Sequence, residues 1–222
     1  MNKIITKSFK DLFSGMVLAF IAKTTLISLA VTAAIAWLFG STVSSFVKHY
    51  MTWIPWEWVQ TTGASVAVIA IAYMLFVAIH AVVTSFMVEP LLAKLAQKHY
   101  PNSPVISTPS IVTSLLISLR SAAVFLVVFL FTFPLMFVPL LGAVYMLWLW
   151  SILIKAPTLY DVGSMFISDK AVLKSRSSKT TLLAMIATGF NYIPLLNIFS
   201  PVFAQILFLH RIVGDEELEI RN

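Results

Sequence analysis

The chain has 222 residues, of which 59% are hydrophobic and only 11% charged, and its mean hydropathy is +0.94. A soluble domain is roughly 45–50% apolar and about 25% charged, so this composition excludes a water-soluble enzyme or binding domain, and also a disordered chain. The net charge of +6 lies in clusters beside apolar stretches, which is typical of topology signals and contacts with anionic lipid rather than of nucleic-acid binding. The composition therefore predicts an integral membrane protein.

The first third of the chain predicts one interfacial helix and two membrane-spanning helices. Residues 1–13 carry apolar side chains near helical spacing between lysines, which is typical of an amphipathic helix at the membrane surface. Apolar stretches at 15–40 and 63–88 are each long enough to cross a hydrocarbon core of about 30 Å. A polar loop at about 41–62 separates them.

The middle of the chain, after a polar and proline-rich segment at 89–110, leaves two alternatives open. Residues 111–154 are mostly apolar but contain Pro134 and Pro139, and only Ala122–Phe133 is continuously apolar. Twelve helical residues would reach about 18 Å, roughly half a bilayer. The segment is either two full spans joined by a tight proline turn or a helical hairpin that enters and leaves on the same side.

The last third predicts a cytoplasmic segment, a second hairpin and a tail. Residues 155–180 are polar and rich in lysine and arginine. Residues 181–211 form an apolar region that is interrupted by Asn-Tyr-Ile-Pro-Leu-Leu-Asn at 191–197 and by Pro201, and its first arm is too short to span, so a hairpin is the natural interpretation. Residues 212–222 form an acidic tail.

The distribution of positive charge predicts the orientation of these segments. Lysine and arginine number three in residues 1–13, one in 41–62, two in 89–110 and five in 155–180. Because cytoplasmic loops carry the excess of positive charge, the N-terminus and residues 89–110 and 155–180 are expected inside, and residues 41–62 outside. A second hairpin would also place the C-terminus in the cytoplasm.

Four stretches of the sequence resemble one known family, the CysZ sulfate permeases and the related etoposide-induced proteins. They follow one another in order along nearly the whole chain. The stretches are SFKDLFSGMVLAFIAKTTLISL (8–29), SFMVEPLLAKLAQ (85–97), FPLMFVPLLG (133–142) and NYIPLLNIFSPVFAQILFLHR (191–211).

The resemblance implies an all-α protein of the bacterial inner membrane. Its fold would combine two long transmembrane helices with two hemi-penetrating helical hairpins and amphipathic interfacial helices. It further implies a homo-oligomer, multi-pass and embedded in lipid, that moves sulfate passively as a channel would. Members of the family tend to carry consecutive arginines early in the first long helix, and the matching positions here are Lys23, Thr24 and Thr25.

Four residues are predicted to bind an anion: Lys23, Thr24, Thr25 and Arg120. A charge inside an apolar span costs roughly 2.5–3.5 kcal/mol on insertion scales, so Lys23 requires a reason to be there. It forms part of an anion site with the two threonines, or its ammonium group extends to the headgroups. Arg120 faces an aqueous vestibule, pairs with Glu89, or binds a lipid phosphate.

Further polar residues in apolar segments are predicted to line a pore or to satisfy backbone groups in a hairpin. His80 is an ionisable group within the second span, and Glu89 lies at its end. The others belong to the second hairpin, where a turn inside the membrane needs polar partners. They are Asn191, Asn197 and Gln205.

No catalytic function is predicted, because the sequence lacks a zinc-protease helix motif, a nucleophile-elbow motif and a glycine-rich phosphate loop. His49, His99 and His210 are far apart in sequence, so no metal site is predicted, and no cofactor is expected. Two functions remain: a downhill permease or channel for a small inorganic anion such as sulfate, or a non-transporting scaffold that interacts with lipid. Expected partners are membrane lipids, the anion and further copies of the chain, with no nucleic acid.

Overall fold

The computed structural model describes residues 1–52 and 55–214, and the regular elements in these two ranges are all helical. The predicted all-helical membrane fold is therefore confirmed. The α-helices of these ranges, in chain order, are α1 (Asn2–Leu12), α2 (Gly15–Tyr50), α3 (Glu57–Met87), α4 (Glu89–His99), α5 (Ile111–Thr132), α6 (Leu141–Phe166), α7 (Lys170–Arg176), α8 (Thr180–Thr188) and α9 (Ser200–Ile212). Short 3₁₀ helices cover Phe133–Phe137, Gly189–Tyr192 and Leu196–Phe199.

Four helices of the described ranges are long and apolar enough to cross a membrane: α2, α3, α5 with the 3₁₀ turn that follows it, and α6. Their large apolar side chains point outward to an extent that water would not tolerate. Trp37 in α2 is 85% exposed, and Phe131 in α5 is 79% exposed. This exposure fits helices that are surrounded by lipid. The two alternatives for residues 111–154, two full spans or a hairpin that stops within the bilayer, both stay predictions.

Two helices continue beyond the boundaries that hydropathy suggests. α2 runs to Tyr50 rather than ending near residue 40, and α6 runs to Phe166, well into the segment 155–180 that was assigned to a polar region. Hydropathy marks where the membrane ends, whereas a helix ends where its backbone hydrogen bonds end. Of the predicted acidic tail at 212–222, residues 215–222 lie outside the described part of the chain.

The backbone contacts divide the chain into two compact units. Unit 2 comprises Ala19–Phe86 and contains most of α2 and α3. The two helices meet where Nδ1 of His80 lies 3.4 Å from Oγ of Ser28. Most apolar side chains of this unit point outward, so few of them are buried between the two helices.

Unit 1 comprises residues 1–18 and the described chain from Met87 onward. Its core surrounds α9, whose Phe203 and Phe208 are completely buried. The ring centroid of Phe203 lies 4.6 Å from that of Phe9 in α1 and 5.4 Å from that of Phe190. α6, α8 and α1 pack against α9, and α5 packs against α6. Apolar burial within this unit is thus concentrated on one short helix.

Two turns of unit 1 share a sequence and a backbone conformation. Val-Pro-Leu-Leu spans 138–141 between α5 and α6, and Ile-Pro-Leu-Leu spans 193–196 between α8 and α9. In each turn the leucine after proline has a positive φ, 61° at Leu140 and 70° at Leu195. Residues other than glycine seldom adopt a positive φ, and such a sparsely populated conformation costs about 1–3 kcal/mol. The same strained corner therefore closes both helical hairpins.

α6 contains one irregularity, which is Pro157 in the interior of the helix. Proline has no amide hydrogen, so it cannot donate the helical hydrogen bond to the carbonyl of residue 153.

Candidate functional site

A cavity of about 760 Å³ lies in unit 1 beside α5 and α6. Arg120 of α5 and Lys155 of α6 both line it, together with the buried hydroxyl residues Ser121 and Ser151. Further lining residues come from α7 and α8, which contribute Leu173 and Thr181. The cavity therefore combines two cations with hydroxyl groups inside a mainly apolar wall.

The charge balance of this cavity favours anions. Among the described residues that line it, two are cationic and none is acidic. A guanidinium group offers several donors in a planar fork, and an ammonium group adds a compact positive charge. Interactions with both groups are stronger beside a low-dielectric wall than in bulk water. An anion that enters would find charge and hydrogen-bond donors from both helices.

An acidic group lies close to the cavity but is held by other partners. Asp161 of α6 accepts a hydrogen bond of 2.7 Å from the hydroxyl of Ser114 in α5, and it is buried. Gln205 of α9, also buried, lies near this carboxyl group, as does Glu89. Glu89 and Gln205, two of the predicted polar residues, thus lie near Asp161, which was not among the predicted site residues. No ion pair of the described residues joins Glu89 to Arg120 or Lys94.

Lys23, Thr24 and Thr25 do not point in one direction, because successive helical residues are rotated by about 100°. Lys23 is exposed, Thr24 is fully buried and Thr25 is half-buried. The hydroxyl of Thr24 donates to the carbonyls of Phe20 and Ile21, at 3.2 and 3.0 Å. The hydroxyl of Thr25 is buried and has no partner among the described residues. Lys23 belongs to unit 2 and Arg120 to unit 1.

A face of buried polar residues runs along the helices of unit 2. Thr24, Ser28 and Thr32 follow one another at intervals of four on α2, and each hydroxyl donates to a backbone carbonyl one turn earlier. His80 and Thr84 have the same spacing on α3 and are buried as well. Small hydroxyl residues allow close approach of helices in lipid, and His80 lies at such a contact with Ser28. Its role in lining a pore stays a prediction.

The polar residues of the second turn lie at its surface. Asn191 belongs to the 3₁₀ helix Gly189–Tyr192 and Asn197 to the 3₁₀ helix Leu196–Phe199, and both are half-buried. The neighbouring Tyr192 hydroxyl donates to the carbonyl of Ala143, near the start of α6. The turns of the two hairpins are therefore in contact. The pore-lining role of the two asparagines stays a prediction.

Three further residues, which no motif or spacing groups together, form a cluster in unit 1. Nε2 of His99 lies 2.9 Å from the carboxylate of Asp11, and Nε2 of His210 lies 2.7 Å from it. Nδ1 of His210 lies 2.8 Å from the hydroxyl of Tyr100, and Nζ of Lys98 lies 3.7 Å from Asp11. Since Nε2–H of His210 donates to Asp11, its Nδ1 accepts from Tyr100.

The environment of Asp11 keeps its carboxylate ionised. Burial raises the pKa of Asp11, but the hydrogen bonds from His99 and His210, together with their electrostatic effect, outweigh burial and hold the pKa below its ordinary value. The two histidines are separated from Asp11 by 88 and 199 positions in the sequence. His99 and His210 therefore lie together in the fold although they are far apart in sequence. No spacing rule could have found them.

Lys155 is a second residue that the sequence interpretation left out of the site. It was assigned to a polar segment at 155–180 because it follows the apolar stretch directly. Since α6 continues through this position, Lys155 lies on a helix opposite Arg120 rather than in a loop. One feature of the sequence could have identified it: Arg120 and Lys155 lie at similar distances, three to four helical turns, before and after the same proline-containing turn.

Comparison with known proteins gives one family. The family model described as "Sulfate transporter CysZ/Etoposide-induced protein 2.4" matches residues 4–201. No curated protein and no solved structure matches the chain significantly.

Proposed function

This chain belongs to the sulfate transporter CysZ/etoposide-induced protein 2.4 family, and we propose that it is a permease for a small inorganic anion, with sulfate as the first anion to test. Transport would be downhill, since the sequence carries no glycine-rich phosphate loop with which to use a nucleotide. The protein would act in a bacterial inner membrane, as a homo-oligomer with both termini in the cytoplasm.

The observation that carries the proposal is the cavity lined by Arg120 and Lys155. A cation at membrane depth is expensive and needs a function or an escape route to the headgroups. Here two cations from different helices line one cavity, and no acidic residue among the described lining residues neutralises them. This arrangement supports the proposal that Arg120 and Lys155 attract an anion into the cavity.

Lys23, with Thr24 and Thr25, is a separate candidate contact for the anion in unit 2. The unpartnered hydroxyl of Thr25 and the exposed ammonium group of Lys23 supply one donor and one charge. A single ammonium group cannot grip a tetrahedral oxyanion with paired hydrogen bonds as arginine does. We therefore assign weak and poorly selective anion contact to Lys23, and the main attraction to the Arg120–Lys155 cavity.

Flux into proteoliposomes tests the proposal. Purified protein is reconstituted, and uptake of sulfate, thiosulfate, phosphate and chloride is measured without an energy source. Arg120→Gln and Lys155→Gln should each reduce uptake of the preferred anion about tenfold, because a hydrogen bond to a charged group contributes roughly 1.5–3 kcal/mol. Lys23→Ala should reduce uptake less and leave insertion intact.

Lys94→Gln is the matched control, because Lys94 is an exposed lysine of α4 that does not line the cavity. Its uptake should equal that of the unmodified protein. No uptake of any of the four anions, or equal uptake by all variants, would refute the permease.

A second candidate function is supported by the exposure of Arg120 beside exposed leucines. Leu116 and Leu119 are 62% and 66% exposed, so a lipid tail could lie along α5 while its phosphate meets Arg120. Absence of flux together with retention of anionic lipid by the unmodified protein, and its loss in Arg120→Gln, would favour this lipid-binding function.

A further inference from the structure

We propose that Asp11, His99 and His210 form a binding site for a divalent transition-metal ion of the zinc class. The inference does not depend on anion transport. One ligand atom from each residue lies within 4.8 Å of the others, a spacing that one ion can bridge. Two imidazoles and one carboxylate are a ligand set that suits Zn²⁺.

The burial of the cluster favours a built site over a chance surface contact. Asp11 is 3% and His210 1% exposed. The side chain of His99 is 20% exposed, which leaves an entry path for an ion. The three residues come from the ends of three helices, α1, α4 and α9, so an ion would link elements that are distant in sequence.

Tyr100 supplies the support that a metal-binding histidine requires. A ligating imidazole nearly always donates its other N–H to a neighbouring group, which fixes the ring and raises its basicity. When Nε2 of His210 binds the metal, its proton moves to Nδ1, which donates to the Tyr100 oxygen 2.8 Å away. The contact already present thus serves the metal-bound tautomer with donor and acceptor exchanged.

The buried hydroxyl of Ser8 supports a water molecule as a further ligand of the metal ion. Ser8 lies three residues before Asp11, hence on the same face of α1. It is completely buried, and its hydroxyl has no hydrogen-bond partner among the residues that the structure describes. Three protein ligands leave one position of a tetrahedral zinc ion for water. A water bound there would offer Ser8 the partner that it needs.

The positive charges nearby oppose a cation and set a limit on its affinity. Nζ of Lys98 lies 3.7 Å from Asp11, and Nζ of Lys7 lies 4.2 Å from the centre of the Tyr100 ring. The side chain of Lys98 is 53% exposed and can turn into solvent. Binding therefore depends on the three ligand atoms, which already lie within 4.8 Å of one another.

The test measures metal binding by tag-free protein in mild detergent after chelator treatment. We expect one Zn²⁺ per chain in competition with a chromophoric chelator, a higher Tm with Zn²⁺ but not with Mg²⁺, and a Co²⁺ absorption spectrum typical of tetrahedral coordination. His99→Gln should weaken Zn²⁺ binding at least about tenfold. His99 is the suitable variant because its partial exposure makes loss of folding less of a concern.

Two companions make the outcome unambiguous. His49→Gln removes an exposed histidine outside the cluster and should bind Zn²⁺ as the unmodified protein does. Tyr100→Phe keeps all three ligands but removes the support of His210, so it should weaken binding while the Co²⁺ spectrum persists. If the unmodified protein binds no Zn²⁺, or if His99→Gln binds it equally well, the cluster is a hydrogen-bonded triad only and the proposal is overturned.

Discussion

The two helical hairpins of unit 1 close with the same turn, yet the arms that they join differ in length and surroundings. The arms of the first, α5 and α6, have 22 and 26 residues, and those of the second, α8 and α9, have 9 and 13. α5 exposes most of its large apolar side chains, whereas α9 buries almost every residue. α5 therefore faces lipid, whereas α6, the other arm of the first hairpin, packs with α8 and α9 in the core.

Despite this difference, the apolar parts of the two hairpins have similar lengths. Tyr192 at the second turn donates to Ala143 beside the first, so the turns lie together. Along α6, Lys155 lies about 21 Å from Leu141, and α9 is about 20 Å long, at a rise of about 1.5 Å per residue. Both distances fall short of a hydrocarbon core of about 30 Å. The length of a helix is therefore greater than the apolar length available to the membrane when a charged residue lies within the helix.

Cysteine labelling gives the largest expected effect, because its outcome is all or none. The chain has no cysteine, so each single substitution is unique. Phe137→Cys in the first turn and Ile193→Cys in the second replace exposed side chains. If both turns stop within the bilayer, a membrane-impermeant maleimide should label neither from either side.

Thr52→Cys and Ser175→Cys are the controls, because both residues are exposed and lie in segments that the distribution of positive charge predicts outside and inside, respectively. Labelling of Phe137→Cys from the face that labels Thr52→Cys would mean that the first hairpin crosses the bilayer. The two hairpins would then differ in depth as well as in length.

Truncation of an aromatic ring should have different effects in the buried helix α9 and in the lipid-facing helix α5. Phe203→Ala removes a completely buried ring that contacts Phe9 and Phe190, and it should lower the free energy of unfolding by about 3–5 kcal/mol. Phe131→Ala removes a ring that is 79% exposed, and its effect should stay within about 0.5 kcal/mol. Thermal unfolding in mild detergent measures both, and equal destabilisation would contradict the assigned roles.

A glycine substitution tests how tightly each turn is closed. A Cβ atom at Gly142 would collide with the backbone carbonyl of Met136, so Gly142→Ala should lower the free energy of unfolding by about 1–3 kcal/mol. At Gly189, beside the second turn, a Cβ atom would meet nothing within 4 Å. Gly189→Ala is therefore expected to be neutral or slightly stabilising in the same unfolding measurement. A neutral Gly142→Ala would show that the first turn can relax.

Hydropathy was sufficient to predict the helical membrane fold, because long apolar stretches leave the backbone no alternative to helix in lipid. It did not predict that α2 would reach Tyr50, since Ser41–Tyr50 is polar enough to suggest a loop although a helix can continue into water. Arg120 was found because it interrupts an apolar stretch. Lys155 was missed because it begins a polar one.

The cluster of Asp11, His99 and His210 shows where sequence reasoning ends. These residues meet only because α1, α4 and α9 bring their ends together through long-range packing. A single chain offers no periodicity or spacing that encodes such a meeting. The one unusual feature was an acidic residue in an otherwise basic N-terminal helix.

Pro157 gives α6 a mechanical property that its neighbours lack. The missing hydrogen bond to the carbonyl of residue 153 makes this turn the most compliant point of the helix. Lys155 lies before this point and Leu159 and Tyr160 after it, and all three line the cavity. A small bend of α6 at Pro157 would therefore widen or narrow the cavity without any side chain changing its rotamer.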